Sequence, residues 1–489
     1  MKKSVKITAG AAAAAALGAT IVRAASLKDD AREVAPLPEE HIVLERYKRN
    51  LSDAIKIKTI SSRDHSKVDW SQFDAFHAFL EARYPLFHKT LSKEVVSKAS
   101  LMYFWQGSDP SLDPIAMLAH QDVVPITPGT EQDWSYDPFG GVEAEGYIWG
   151  RGALDMKNHL IAVMESIEAL LEDGYQPQRS VYVLLGHNEE TMEHQESGAA
   201  YMCRTLAERG VHLEAVLDEG GANLPVSVPG LIDVDIVGVG IAEKGQVDYE
   251  ISVRGKGGHS SQPPKHTALG QLANVIRDLE NHQYKASITP LFEDLFVRAA
   301  KKAKLPVKLL VSNLPVLKPV LARALTTIPP AACMVRTTTA VTMAQGSPAP
   351  NVLPQKATVN ANFRMMPGES VADVERHIRK VVRNKDIEIK LIKGKEPSKI
   401  STTDSKAFKA IEDISAATDK KNVVVPYLVM GGTDSYLYEP ICENIYRYSP
   451  FKLTPKLLTA THGTNEKIPV DCMADAVIFF KRYIKEMTK

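Results

Sequence analysis

At 489 residues and 44% hydrophobic content, the chain is long enough for two or three domains with buried cores. Lys+Arg and Asp+Glu both number 59, so the formal net charge is zero. That balance argues against a nucleic-acid or anionic-membrane partner, since both draw on a basic excess. Cys203, Cys333, Cys442 and Cys472 are widely spaced with no CxxC pair, which excludes a disulfide scaffold and a thiolate zinc site and favours buried free thiols.

Lys2 and Lys3 precede an Ala-rich apolar run over 7–22, and Ala24, Ala25 and Ser26 follow it. This pattern reads residues 1–25 as a signal peptide or, if uncleaved, a membrane anchor. The body is then secreted, periplasmic or membrane-anchored, outside the cytoplasm. Residues 26–44 read as a charged, Pro-containing linker. Apolar residues at helical spacing predict helices over 41–57 and 68–84. From residue 94, strand-length apolar runs (101–106, 115–120, 181–186, 215–218) alternate with helical stretches (160–172, 198–208). The alternation predicts an α/β fold with a buried, mostly parallel sheet flanked by helices. Ligands of such sheets bind beyond the carboxyl ends of the strands.

The pattern changes after Lys244. Strands at 247–254, 357–363 and 388–392, with helices at 267–281 and 370–383, predict a small α+β domain over 244–396. It is inserted in the first domain, which then comprises 45–243 and 397–489, with a helix over 405–417. Within the insert, 287–328 is a long apolar and basic segment, read as packing inside the domain in preference to an oligomer or lipid contact.

His120 closes the run PIAMLAH, and Asp122 shares its side of the strand end. Asp122 is placed to hold the second nitrogen of a metal-binding imidazole, although HxD alone is a weak signal. Asp155 lies in the glycine-rich turn GRGALDMK (150–157). A carboxylate there most often caps the turn; it can also give one oxygen to each of two ions. Glu189 and Glu190 follow VYVLLGHN, and adjacent carboxylates beyond a buried strand are costly unless cations compensate. An isolated Glu pair is more often a surface feature. If Glu190 ligates metal, Glu189 points elsewhere and is free to move a proton. Asp218–Glu219 repeats the ambiguity after EAVL; one is needed, and Asp218 is preferred as the first beyond the strand. His462, in THGTNEK, completes five oxygen and imidazole donors, a set that suits a catalytic two-metal site.

Joined in this order, AHQDVVP, WGRGALDMK, GHNEE, LDEGG, GGHSSQPP, NVLP, NFRMMPG, GGTDS and HGTNEKI closely resemble a di-zinc metallopeptidase family. That family includes carboxypeptidase S, glutamate carboxypeptidase, aminoacylase and succinyl-diaminopimelate desuccinylase. The resemblance runs from about residue 45 to the end. Toward carboxypeptidase S and the secreted N-fatty-acyl-amino-acid hydrolase/synthases it extends even to RTTTA (336–340). It implies a zinc-peptidase-like catalytic domain with a ferredoxin-like lid through which members often dimerise. It implies two Zn2+ per subunit, with Co2+ or Mn2+ as substitutes: one held by His120, Asp155 and Asp218, the other by Asp155, Glu190 and His462. Glu189 would be the general base and Asp122 the residue orienting His120.

The resemblance also implies that His259 reaches the neighbouring subunit's site and stabilises an oxyanion. Asn351 and Arg364 would grip a substrate carboxylate, a task that suits the planar guanidinium fork, and Gly432–Thr433 would form an assisting loop. The loop 191–196 (TMEHQE) lacks the usual small residues, leaving His194 either at the site entrance or, as most loop histidines, in solvent. The expected substrate is a small peptide or an N-acyl amino acid, so carboxypeptidase and aminoacylase-type hydrolase stand as alternatives. A non-catalytic binding homologue is disfavoured because all five ligands and the base are present. A di-metal phosphoesterase is disfavoured by the lid histidine and the carboxylate clamp.

Overall fold

The computed structural model describes residues 20, 22–28, 37–191 and 194–489. Most of the predicted signal peptide or anchor, and part of the linker, lie outside these residues. Strands β1 (Ser92–Val96), β2 (Ser100–Trp105) and β3 (Ile115–His120) lead to a hairpin, β4 (Val142–Ala144) and β5 (Tyr147–Trp149). The helix Lys157–Glu172 follows, then β6 (Val181–Gly186), the helix Gly198–Glu208, β7 (Ala215–Asp218), β8 (Asn223–Val228) and β9 (Ile232–Glu243). The insert holds β10 (Gly245–Arg254), β11 (Gly258–His259), β12 (Thr338–Gln345), β13 (Val352–Leu353), β14 (Lys356–Met365) and β15 (Ile387–Lys395). Strands β16 (Asn422–Val429), β17 (Ile445–Arg447) and β18 (Lys467–Pro469) and the helix Met473–Met487 close the chain.

The large sheet runs β1-β2-β6-β3-β7-β17-β9-β16, with β8 beside β9. Its middle, β6-β3-β7-β17, is parallel, and antiparallel pairs flank it. Strands β3 and β6 are buried along their whole length, as a sheet covered on both faces requires. The helix Lys157–Glu172 lies on one face, buried from Lys157 to Leu170, and shares a core with the helices Leu44–Lys56 and Met473–Met487. The helix Gly198–Glu208 covers the other face against Met102, Leu118 and Leu184. Its start is fixed by Ser197 Oγ, which accepts the Ala200 N–H. Each fully buried Leu or Ile in these cores contributes about 1.5–3 kcal/mol.

The insert is a four-stranded antiparallel sheet, β12-β14-β10-β15, backed by the helices Ala268–Asn281 and Val371–Val381. A capping box between Ser370 and Asp373 opens the second helix. The strand-helix-strand-strand-helix-strand order is ferredoxin-like. Strand β14 alternates cleanly, with Ala357, Val359, Ala361, Phe363 and Met365 turned to the core. Strand β12 has no apolar alternation in the sequence because its residues are mostly exposed. The segment 287–328 packs only in part. It forms the helices Pro290–Lys301, Leu305–Ser312 and Leu314–Leu325, with small cores of their own. All four cysteines are free, and Cys203, Cys442 and Cys472 are buried.

Candidate metal centre

Strand ends and two loops deliver the chemistry to one place. His120, the last residue of β3, is buried. Its Nδ1 lies 3.0 Å from the Asp122 carbonyl oxygen and 3.3 Å from Asp122 Oδ1. This leaves Nε2 to face the site, 3.1 Å from Asp155 Oδ1 and 3.3 Å from Glu219 Oε1. The second Asp155 oxygen, Oδ2, lies 3.0 Å from His462 Nε2, which is also 3.0 Å from Glu190 Oε2. Asp155 therefore belongs to two donor sets, one around each histidine. The donor atoms of His120, Asp155 and Glu190 all lie within 4.8 Å of one another, as do those of His120, Glu189 and Glu219.

Asp122 does more than orient His120. Its carboxylate accepts the N–H groups of Glu189 and Glu190, each at 3.2 Å, and the Ser61 hydroxyl at 2.5 Å. One buried side chain thus fixes the imidazole and the turn bearing the paired glutamates. The Asp155 loop is held just as closely. Gly152 has φ +87°, and a Cβ there would come 2.8 Å from Val123 Cγ1, so only glycine fits. The N–H groups of Gly152, Leu154 and Asp155 converge on Glu466 Oε1 at 3.0, 2.8 and 3.2 Å, and Arg151 pairs with Glu466 Oε2. His462 sits at φ 60°, a left-handed backbone uncommon for non-glycine residues.

The electrostatics are those of a site short of positive charge. Burial pushes the Glu219 carboxyl up to about 8, reinforced by the Asp155 charge. Burial likewise raises Glu189 well above its ordinary value and carries Asp434 up to about 8, with Asp218 adding repulsion. His462 is pushed up to about 10 by the hydrogen bonds it donates to Asp155 and Glu190. Burial works against the Asp155 charge, yet His120 and His462 hold it below the usual carboxylate range. Divalent cations would supply the missing charge. The oxygen and imidazole donors, with no thiolate, fit a divalent metal site.

Glu219 stands where Asp218 was expected. Asp218 Oδ1 accepts the Glu219 N–H at 2.8 Å, and Asp218 belongs to neither donor set. Asp218 instead faces Asp434 and Thr433 beside the centre, and its buried Oδ2 has no hydrogen-bond partner among the described residues.

Gly432 and Thr433, with Glu189, His194, Lys395, Asp434 and Tyr436, line a cleft beside the centre. Thr433 is buried, and its N–H and hydroxyl both donate to Glu243 Oε1. His194 lines this cleft and is not in solvent. Its Nδ1 is 2.7 Å from the Tyr436 hydroxyl, its Nε2 is buried with no hydrogen-bond partner among the described residues, and burial lowers its pKa to about 4. Glu243, fully buried, pairs with Arg447 Nε at 2.7 Å and with Lys395 Nζ.

His259, Asn351 and Arg364 lie in the insert and share no hydrogen bond or ion pair with the centre among the described residues. The ribbon β11–β13 pairs His259 with Val352, and the Asn351 carbonyl accepts the Ser260 N–H at 3.1 Å, so these two neighbour each other on an exposed edge. Arg364, on β14, forms no ion pair among the described residues. The sequence reading left out Glu466, Glu243, Lys395 and Arg447. Glu466 lay inside the quoted motif HGTNEKI, while nothing local marks the other three.

A parallel-centred sheet with carboxylates and imidazoles at its strand ends, and a ferredoxin-like insert, define a metal-dependent hydrolase of α/β type. Residues 116–486 match Peptidase family M20/M25/M40, and the chain belongs to that family. It is 35% identical over 446 residues to the probable carboxypeptidase S-like 2 of Dictyostelium discoideum, covering 90% of this chain and 85% of that one. It is 33% identical to the N-fatty-acyl-amino acid synthase/hydrolase of Mus musculus, covering 91% and 88%. In fold it is similar to an M20 family metallo-carboxypeptidase from Sulfolobus solfataricus, with a TM-score of 0.64 at 18% identity, covering 90% and 98%.

Proposed function

We propose that the protein is an exported zinc-dependent amide hydrolase that frees an amino acid from a peptide C-terminus or from an N-acyl group. The observation that carries this reading is Asp155, whose two oxygens meet His120 and His462 separately at 3.1 and 3.0 Å. His120, Asp155 and Glu219 would hold one Zn2+, and Asp155, Glu190 and His462 the second. When bound, the two ions lower the pKa of water and polarise the scissile carbonyl.

Glu189, raised by burial and oriented through its backbone N–H to Asp122, takes the proton of the attacking water and passes it to the leaving amine. Arg364 and Asn351 grip the substrate carboxylate, Gly432–Thr433 line its path, and His259 of a second subunit supports the oxyanion. In this reading the insert is both lid and dimer surface.

The test is a mass-spectrometric screen of zinc-loaded protein against blocked dipeptides and N-acyl amino acids of rising chain length, with a chelator control. Chelator-sensitive release of an amino acid is expected. Preference for long acyl chains would mark an N-fatty-acyl-amino-acid hydrolase, preference for peptides a carboxypeptidase. No cleavage with metal bound would overturn the proposal.

A further inference from the structure

The zero net charge hides a local asymmetry. Between Leu295 and Gly368 there is no Asp or Glu, and Lys301, Lys302, Lys304, Lys308, Lys318 and Arg323 all fall in the helical part of that stretch. Lys302 binds the carbonyls of Lys420 and Asn422, and Lys318 pairs with Glu293. Lys304, Lys308 and Arg323 form no ion pair among the described residues. The same helices expose apolar side chains to an unusual degree: Leu305 is 55% exposed, Leu310 53%, Val316 75%, Val320 68% and Ile328 55%. Val316, Val320 and Arg323 follow helical spacing down one face of Leu314–Leu325.

Leu305–Ser312 and Leu314–Leu325 together carry the hydropathy of a membrane span but meet at a 97° bend, and no single described helix is long and apolar enough to cross a bilayer. Short helices that are apolar on one side and basic beside it suit the headgroup boundary.

The N-terminal segment points to the same place. Thr20 Oγ1 donates to Asn313 Oδ1 at 3.2 Å, Ala24 is buried, and Leu27 packs against Ala300, Val311 and Leu314. The described chain at the end of the apolar run 7–22 and just beyond it therefore rests on these helices.

We propose that the exposed face of residues 304–328 docks on the surface of an anionic phospholipid bilayer. Leu305, Leu310, Val316 and Val320 enter the headgroup boundary, while Lys304, Lys308 and Arg323 meet lipid phosphates. A second copy of the chain is the poorer occupant. A two-fold contact would set this acid-free, basic face against itself, with no carboxylate of its own to pair. The docking does not depend on which amide the site cleaves.

The experiment is co-sedimentation of the full chain with phosphatidylcholine vesicles, with and without phosphatidylglycerol. It compares the parent with Val316→Glu/Val320→Glu and with Lys304→Glu/Lys308→Glu. Val316, Val320 and Lys304 are exposed, Lys308 is half-buried, and all four lie outside the metal centre, so thermal midpoint and hydrolysis of a short soluble substrate stay unchanged. Binding favours the anionic vesicles, weakens with salt, and falls at least about tenfold in each double variant. Unchanged binding in either variant would overturn the proposal, as would equal binding of the parent to both vesicle types. If Val316→Glu/Val320→Glu left sedimentation unaltered and turned a dimer into a monomer by light scattering, the face would belong to a second copy.

Discussion

The two halves of the proposed site are built to different standards. Around the large sheet much of the metal side is tied down within the chain: Asp122 holds His120 and the turn of the paired glutamates, and Glu466 gathers three backbone N–H groups under Asp155. In the insert, His259 and Asn351 stand on an exposed two-strand ribbon, and Arg364 has no carboxylate partner among the described residues. Charged donors pay for isolation with lost hydrogen bonds unless something else binds them. In the proposed reading, the metal side is set before substrate arrives, while the substrate side is completed by its ligand.

The strongest way to break this picture is Glu189→Gln. A pre-set metal side predicts a loss of about 10^3-fold in kcat, with zinc content and thermal midpoint near those of the parent. Retained turnover would remove Glu189 as the base.

The join between the halves gives the next effect. Burial opposes the Glu243 charge, but Arg447 and Lys395 hold the folded-state pKa at about 2, below the unfolded value of about 4.3. The stability it contributes is complete above the unfolded pKa and is lost as pH falls through the folded one. On the order of 3 kcal/mol should disappear between about pH 5 and 2. Glu243→Gln should lower the thermal midpoint at neutral pH and flatten this acid limb.

Arg364→Ala should cut kcat/KM for carboxylate substrates about 10–100-fold, the worth of a charge-assisted pair, through KM and without changing zinc content or melting. An equal loss on a substrate lacking the carboxylate would refute the clamp. The smallest effect belongs to Asp218→Asn, which should leave zinc affinity within about threefold of the parent. Glu219→Ala should weaken it at least about tenfold. Isothermal titration separates the two, and the reverse order would restore Asp218 as the ligand.

Much of the metal side was legible in the sequence because its residues follow buried apolar runs, and strand ends are where such sheets bind ligands. His120, Asp155, Glu190 and His462 could each be placed in that way or by motif. Asp218 against Glu219 could not, because a one-residue step at a strand end reverses the side chain's direction and composition does not say where the strand stops. Glu466 was hidden for another reason. Its role is to accept backbone N–H groups from a loop more than 300 positions away, and such pairings leave no local signature. The long strand β9 and edge strand β12 were also missed. Glycines interrupt the first, and the second is exposed enough to need no apolar alternation.

The chain leaves the large sheet after β9 and enters the insert at Gly245, and it returns at Pro397 so close by that a Cβ on Gly245 would come 2.7 Å from Pro397 N. The insert is thus carried on two touching stalks, and closing the gap left by its removal would need only a very short turn, with little entropic cost. This makes it an exchangeable cartridge. The corresponding segment of a relative could be grafted between Lys244 and Pro397 while His120, Asp155, Glu190, Glu219 and His462 all stay in the recipient chain.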